Sequence, residues 1–168
     1  MAAAPEQHPN VRANRYYIVR SDAGCPRCGA WNALVALMVP PAHEVRWDEG
    51  NGEDPVARID WESMPCCALL FHIESLPGAV ERRLLEYFPH FKRGAARGSR
   101  SGCWANHCAH CNHPWPDEDC FCEPGGAFLP VAAEGLEKLR VIAIEEPLCA
   151  SVGGYAPDPD FMAGRLAP

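Results

Sequence analysis

The sequence has 168 residues, of which 17 are Pro and 14 are Gly, too many turn-formers for a helical bundle, a coiled coil or a long solenoid. With 48% hydrophobic and 22% charged residues it can bury the core of one domain. Acidic side chains outnumber basic ones, and the net charge of -7 sets the chain against the nucleic-acid backbone, so a protein partner is expected instead.

At the N-terminus, Met1 to Asn10 has neither a basic region nor an apolar one of the kind that directs secretion, and no uncharged run approaches the ~18 apolar residues of a membrane span. A cytoplasmic location with reduced thiols is expected. Residues 1–14 and 156–168, rich in Ala, Pro and polar groups without a period, are expected to be disordered tails around one domain at 15–155. Arg15 to Arg20 reads as a short strand leading into a C-x-x-C. Trp31 to Val39 is a continuous apolar run stopped by Pro40-Pro41, with length and composition open to either strand or helix. Asp48 to Pro55 is acidic and turn-rich, a loop by composition, and Cys66 to Ile73 has the apolarity of a buried strand. The clearest helix spans Ser75 to Phe88. Ser75 is its expected cap, Pro77 lies in its first turn, and Leu76, Val80, Leu84 and Phe88 recur every four residues on one face, which must cover a sheet. Residues 92–102 form a basic, Gly-rich loop, a short helix is possible at Ala132 to Lys138, and Leu139 to Glu145 alternates as a strand does.

Ten cysteines in a chain expected to stay reduced point first to metal ligation or catalysis. Four form two C-x-x-C pairs, Cys25/Cys28 and Cys108/Cys111, each followed by a residue tolerant of positive φ, Gly29 or Asn112. Such a turn sets two thiolates on one side of a metal ion, and two turns complete a structural zinc tetrahedron. The 79 residues between Cys28 and Cys108 exceed the gap of a compact ribbon, so one zinc would join the N- and C-terminal parts and close off an inserted region at 40–100. Cys66, Cys67 and Cys149 lie in apolar segments and read as buried thiols without a role. Cys103, Cys120 and Cys122 crowd near His107, His110 and His113, where a second metal is an alternative; Cys120-x-Cys122 on a strand would instead share a face for ordinary geometric reasons.

The string WANHCAHC at Trp104 to Cys111, then Asp117, then EPGGAFLP at Glu123 to Pro130, resembles a family of bacterial proteins of unknown function. Its members carry an early C-x-x-C followed by an apolar strand, a central I-x-x-L-P, a late aromatic-x-N-x-C-x-x-C, then G-D and E-x-G-G-x-F-x-P. Ile73, Leu76 and Pro77 match the central segment, Asn106, Cys108 and Cys111 the late pair, and Gly125, Gly126, Phe128 and Pro130 the tail. The match spreads over residues 15–130 and departs at Pro116, at Asn112 and at the added Cys120 and Cys122. The resemblance implies a zinc-ribbon-like site uniting both pairs, and it supplies no reaction or partner.

The favoured expectation is an α+β protein of mostly antiparallel strands with one clear helix, its single Zn²⁺ structural, acting as a non-catalytic protein-interaction module. Asn106, His107, Asp117, Gly125 and Gly126 would form its recognition surface, unless Asn106 and Asp117 only bond turn backbones. A second class is a metal-dependent nuclease or hydrolase using His107, His113, Asp117 and Asp119, with Lys92 to Arg100 against phosphates, provided those groups converge on an open metal position. A third is a thiol-disulfide oxidoreductase with Cys25 as nucleophile and Cys28 resolving, which leaves the second pair unexplained.

Overall fold

Apolar runs become strands here, and the central strands carry continuous apolar sequence because both of their faces are covered. The computed structural model describes residues 8–46, 60–94 and 102–162, so Asp48 to Pro55 and most of the basic loop lie outside the described residues. Its strands are β1 (Val11–Ala13), β2 (Tyr16–Gly24), β3 (Trp31–Val39), β4 (Glu44–Val45), β5 (Glu62–Ser63), β6 (Ala68–Ser75), β7 (Phe91–Arg93), β8 (Trp104–Asn106), β9 (Arg140–Ile144) and β10 (Leu148–Pro157). They pair in the order β5-β4-β1-β10-β6-β3-β2-β9, with β8 joined to β6 and β7 to β8, and every pairing is antiparallel. The helices are α1 (Gly78–Tyr87), α2 (Asp117–Phe121) and α3 (Ala133–Lys138), and a short 3-10 turn covers Asp160–Met162.

The apolar run at 31–39 is resolved as a strand. Val35, Leu37 and Val39 join Tyr16, Ile18 and Leu70 in one core, while Leu34, Ala36 and Met38 join Tyr17, Val19 and Leu69 in the other. A strand buried on both faces loses the polar alternation that would distinguish it in sequence from a buried helix. The first core is closed by α1 through Val80 and Leu84, each stabilising by about 1.5–3 kcal/mol when fully buried. The second core is closed by α2, the 3-10 turn and irregular chain, with Trp115, Phe121, Phe128 and Phe161 packed beneath the sheet.

Several expectations change. The helix begins at Gly78 with Pro77 as its cap residue and no side-chain cap; Ser75 stays in β6, paired with Ser151 of β10. The tails are shorter than composition indicates: Val11–Ala13 pairs with both β10 and β4, and Phe161 and Met162 are buried. Two or three well-placed apolar residues are enough to anchor these segments, and composition averaged over a dozen positions hides them. Within the stretch read as inserted, β6 runs between β10 and β3. Cys120 lies buried in α2, and Cys122 just past its end is exposed, so these thiols do not share a strand face. Cys149 is also exposed, on β10, whereas Cys67 is buried and Cys66 half-buried.

Candidate metal centre

Each C-x-x-C forms the tip of a hairpin. After the last β2–β3 pair, Gly24 with Trp31, the Cys25 N–H donates to Ala30 O at 2.8 Å and the Gly29 N–H to Cys25 O at 2.8 Å. The second tip repeats the pattern: Cys108 N–H donates to His113 O at 2.9 Å and Asn112 N–H to Cys108 O at 2.9 Å. Closing such a loop needs one left-handed residue, supplied by Gly29 at φ +74° and Asn112 at φ +56°, the two residue types that reach that region most readily. In each tip a backbone N–H then points at the first sulfur: Arg27 N to Cys25 Sγ and His110 N to Cys108 Sγ, both 3.4 Å.

The two tips lie side by side and bring all four sulfurs within 4.8 Å of one another. Cys25 Sγ is 3.7 Å from Cys111 Sγ and Cys28 Sγ is 3.6 Å from Cys108 Sγ, so both close pairs run between the tips. A tetrahedron with metal–sulfur bonds of about 2.3 Å has sulfur–sulfur edges of about 3.8 Å. The thiols therefore fit one tetrahedral metal ion. Cys25 and Cys108 are buried, Cys111 is half-buried and Cys28 is exposed, which places the site at the molecular surface with its backbone-bonded sulfurs inward.

The electrostatics show what four adjacent thiols demand. Burial raises the Cys108 thiol, but the N–H groups of Cys111 and His110 and the neighbouring sulfurs bring it down to about 6. At Cys28 the Ala30 N–H acts downward, while desolvation and the three surrounding sulfurs push the thiol up to about 12. A negative charge on one sulfur opposes ionisation of its neighbours. A divalent cation at the centre removes that opposition and favours four thiolates.

Asn32, on β3 just past the first tip, is a site residue that the cysteine spacing does not reveal. Its buried amide donates through Nδ2 to Ala30 O at 2.6 Å and to Cys108 Sγ at 3.5 Å, and its Oδ1 accepts the Ala109 N–H at 2.7 Å. One side chain thus links the two tips and supports one of the four clustered sulfurs. The signal in sequence is only an Asn at an inward position of a strand otherwise apolar from Ala33 to Val39.

The residues expected to form a recognition surface are mostly inside. Asn106 is buried and pairs with the Val35 backbone in both directions, accepting its N–H at 2.8 Å and donating to its carbonyl at 2.9 Å. Its amide therefore acts as one more strand bond, joining β8 to β3. The buried His107 ring meets Ala105 O through Nδ1 at 3.0 Å, and burial holds its pKa below the ordinary histidine value. Asp117 is buried and accepts the His72 N–H at 2.7 Å, at a residue held at φ +49°; burial pushes this carboxyl up, against the pull of the His72 N–H. Gly125 adopts φ +88°, and a Cβ on Gly126 would come within 2.4 Å of the Asp119 carbonyl oxygen, so both glycines are needed by the turn itself. The exposed Gly125 and half-buried Gly126 are the members nearest to solvent.

Among the described residues the four cysteines form the only group of three or more Cys, His, Asp or Glu donors close enough to share an ion. His107, His113, Asp117 and Asp119 are not gathered into such a group, nor are Cys103, Cys120, Cys122, His110 and His113. No described helix is long and apolar enough to cross a membrane. The resemblance noted in the sequence is therefore met in part, by the four-cysteine cluster. Comparison of the chain with protein-family models, curated proteins and solved structures gives no match.

Proposed function

We propose that the protein is a non-catalytic module in which one structural Zn²⁺ on Cys25, Cys28, Cys108 and Cys111 locks two hairpin tips together, leaving the surface to recognise a protein partner. The observation that carries this reading is the convergence of the four sulfurs, with both close contacts running between the tips. A closed set of four thiolates suits zinc and leaves no coordination position for a reacting water. It also occupies Cys25 and Cys28, so a free redox pair is disfavoured. Thiolate ligation fits a reducing compartment such as the cytoplasm, and the net charge of -7 favours a protein partner over nucleic acid.

Elemental mass spectrometry on protein purified without chelators, with a thiol count before and after denaturation, tests the metal assignment. One zinc per chain and four thiols protected until unfolding is the expected result. A metal-free protein whose Cys25 and Cys28 oxidise reversibly to a disulfide would replace this reading with the oxidoreductase.

A further inference from the structure

On the face of the sheet covered by α1, the described residues leave a gap beyond the C-terminal end of that helix. There a cleft of about 160 Å³ lies between Arg20 and Ala33 on the sheet and Tyr87 and His90 at the helix end. This is below the ~300–1,000 Å³ of a cofactor or metabolite pocket and suits a single side chain. Two large aromatic residues stand at this end of the fold: Tyr87 is 66% exposed and Trp31, two residues before Ala33 on the same strand face, is 68% exposed.

The charge of the cleft is opposite to that of the chain. Arg20 has its Nε buried without a hydrogen-bond partner, its guanidinium 5.9 Å from the Phe88 ring centre, and no ion pair with any described residue. Directly across from it on β9 is Arg140, whose guanidinium donates to a backbone carbonyl, Glu137 O, at 2.5 Å. Like charges in directly opposed positions destabilise a sheet unless an anion lies between them. Lys138 adds a third cation, 5.9 Å from the Trp31 ring centre. Asp22, the carboxylate on β2, is exposed and makes no ion pair with these groups among the described residues. Among the described residues, Arg20 at the aromatic-walled cleft and its neighbours Arg140 and Lys138 meet no carboxylate in an ion pair.

We propose that this cleft receives an Asp or Glu side chain of a partner protein, its carboxylate against the Arg20 guanidinium and its neighbouring residues over Tyr87 and Trp31. The inference rests on the interaction-module reading and names the chemistry of the partner. Guanidinium and carboxylate match in plane and charge, and exposed aromatic rings with arginine are the residue types that carry most binding energy at protein interfaces.

The test is selection from a random heptapeptide library on the zinc-loaded full chain, followed by fluorescence polarisation of the enriched peptide. Enrichment of an acidic residue beside apolar ones is expected, with tenfold or greater weakening when that residue is changed to Gln or when the protein carries Arg20→Gln. Tyr87→Ala, at an exposed position, should weaken binding several-fold and carries the test should Arg20→Gln not fold. Arg12→Gln, whose guanidinium pairs with Glu44, should leave binding within twofold. A consensus without an acid, Arg20→Gln and Tyr87→Ala proteins that bind as wild type does, or displacement by millimolar inorganic phosphate as readily as by the peptide would each overturn the proposal. Stoichiometric zinc with peptide binding indifferent to Arg20 and Tyr87 would sink the cleft alone. Acid-dependent binding by a chain without zinc would sustain the cleft and overturn the zinc assignment.

Discussion

Removing the Asn32 amide should loosen the metal and the fold together. Asn32→Ala takes away a donor to Cys108 Sγ, a donor to Ala30 O and the acceptor of the Ala109 N–H, three bonds of which the first and last connect one hairpin tip to the other. At about 1 kcal/mol net for each bond the variant should lose roughly 2–3 kcal/mol. For a chain of this length that lowers the unfolding midpoint by about 5–10 °C. A group that bonds a ligand from outside the coordination sphere contributes roughly 10–100-fold in metal affinity, equivalent to about 1.4–2.7 kcal/mol, so the two magnitudes agree.

Competition with a chromophoric chelator and thermal melting of the zinc-loaded chain measure the two losses. Asn32→Asp sharpens the test. It keeps an oxygen for the Ala109 N–H but exchanges the donor facing Cys108 for a negative charge, so it should bind zinc more weakly than Asn32→Ala although it preserves more of the side chain. A zinc affinity within twofold of wild type in both variants, with unchanged melting, would refute the role assigned to this amide.

Cys25→Ser and Cys108→Ser should each abolish stoichiometric zinc and lower stability together, whereas Cys66→Ser should leave metal content unchanged by elemental mass spectrometry; zinc retained in both ligand variants would refute the shared site. Asn106→Ala leaves the Val35 N–H and carbonyl unpaired inside the fold, and urea unfolding should report a loss of about 2–4 kcal/mol. Gly126→Ala should lower soluble yield and melting temperature, because the added methyl meets backbone oxygen rather than a movable side chain. His43 is buried, with Nδ1 meeting Pro40 O and Nε2 meeting Tyr155 Oη, both at 2.6 Å. Desolvation lowers its pKa in the folded state, so its contribution is full above its unfolded value of about 6.5 and is lost as pH falls toward the folded value, where the unfolded chain binds the extra proton. The wild-type urea midpoint should therefore fall further than that of His43→Gln between pH 7.5 and 6; parallel falls would exclude His43 as a source.

Cysteine spacing carried the four-cysteine cluster because its geometry is local: a C-x-x-C followed by Gly29 or Asn112 already specifies two sulfurs, a turn and the backbone N–H that faces a sulfur. The helix was legible for a similar reason, since Val80 and Leu84 fall one turn apart. What could not be read depends on partners distant in sequence. The amides of Asn32 and Asn106 act on residues more than 70 positions away, and no local pattern separates an Asn that completes a sheet from one that recognises a ligand. Asp117 is the same case, its carboxylate taken by the His72 N–H from β6. Polar residues crowded beside a metal motif looked like a surface, yet burial turned them into joints.

Those joints explain how hairpin tips 79 residues apart in the sequence stay in register. Asn106 fastens β8 to β3, and β3 begins where the first tip ends. Trp115 N–H then donates to Asn106 O at 2.8 Å, fixing the return of the second tip. The sheet therefore places both tips before any metal is considered, and the Asn32 amide aligns their sulfurs. On this argument the protein side of the site is largely pre-organised, and metal binding should tighten the tips without reorganising the strands. Backbone hydrogen exchange with and without zinc would show it: protection should increase around residues 25–30 and 108–113 and stay constant in β6 and β10. Loss of protection throughout β6 and β10 on zinc removal would mean instead that the metal holds the sheet.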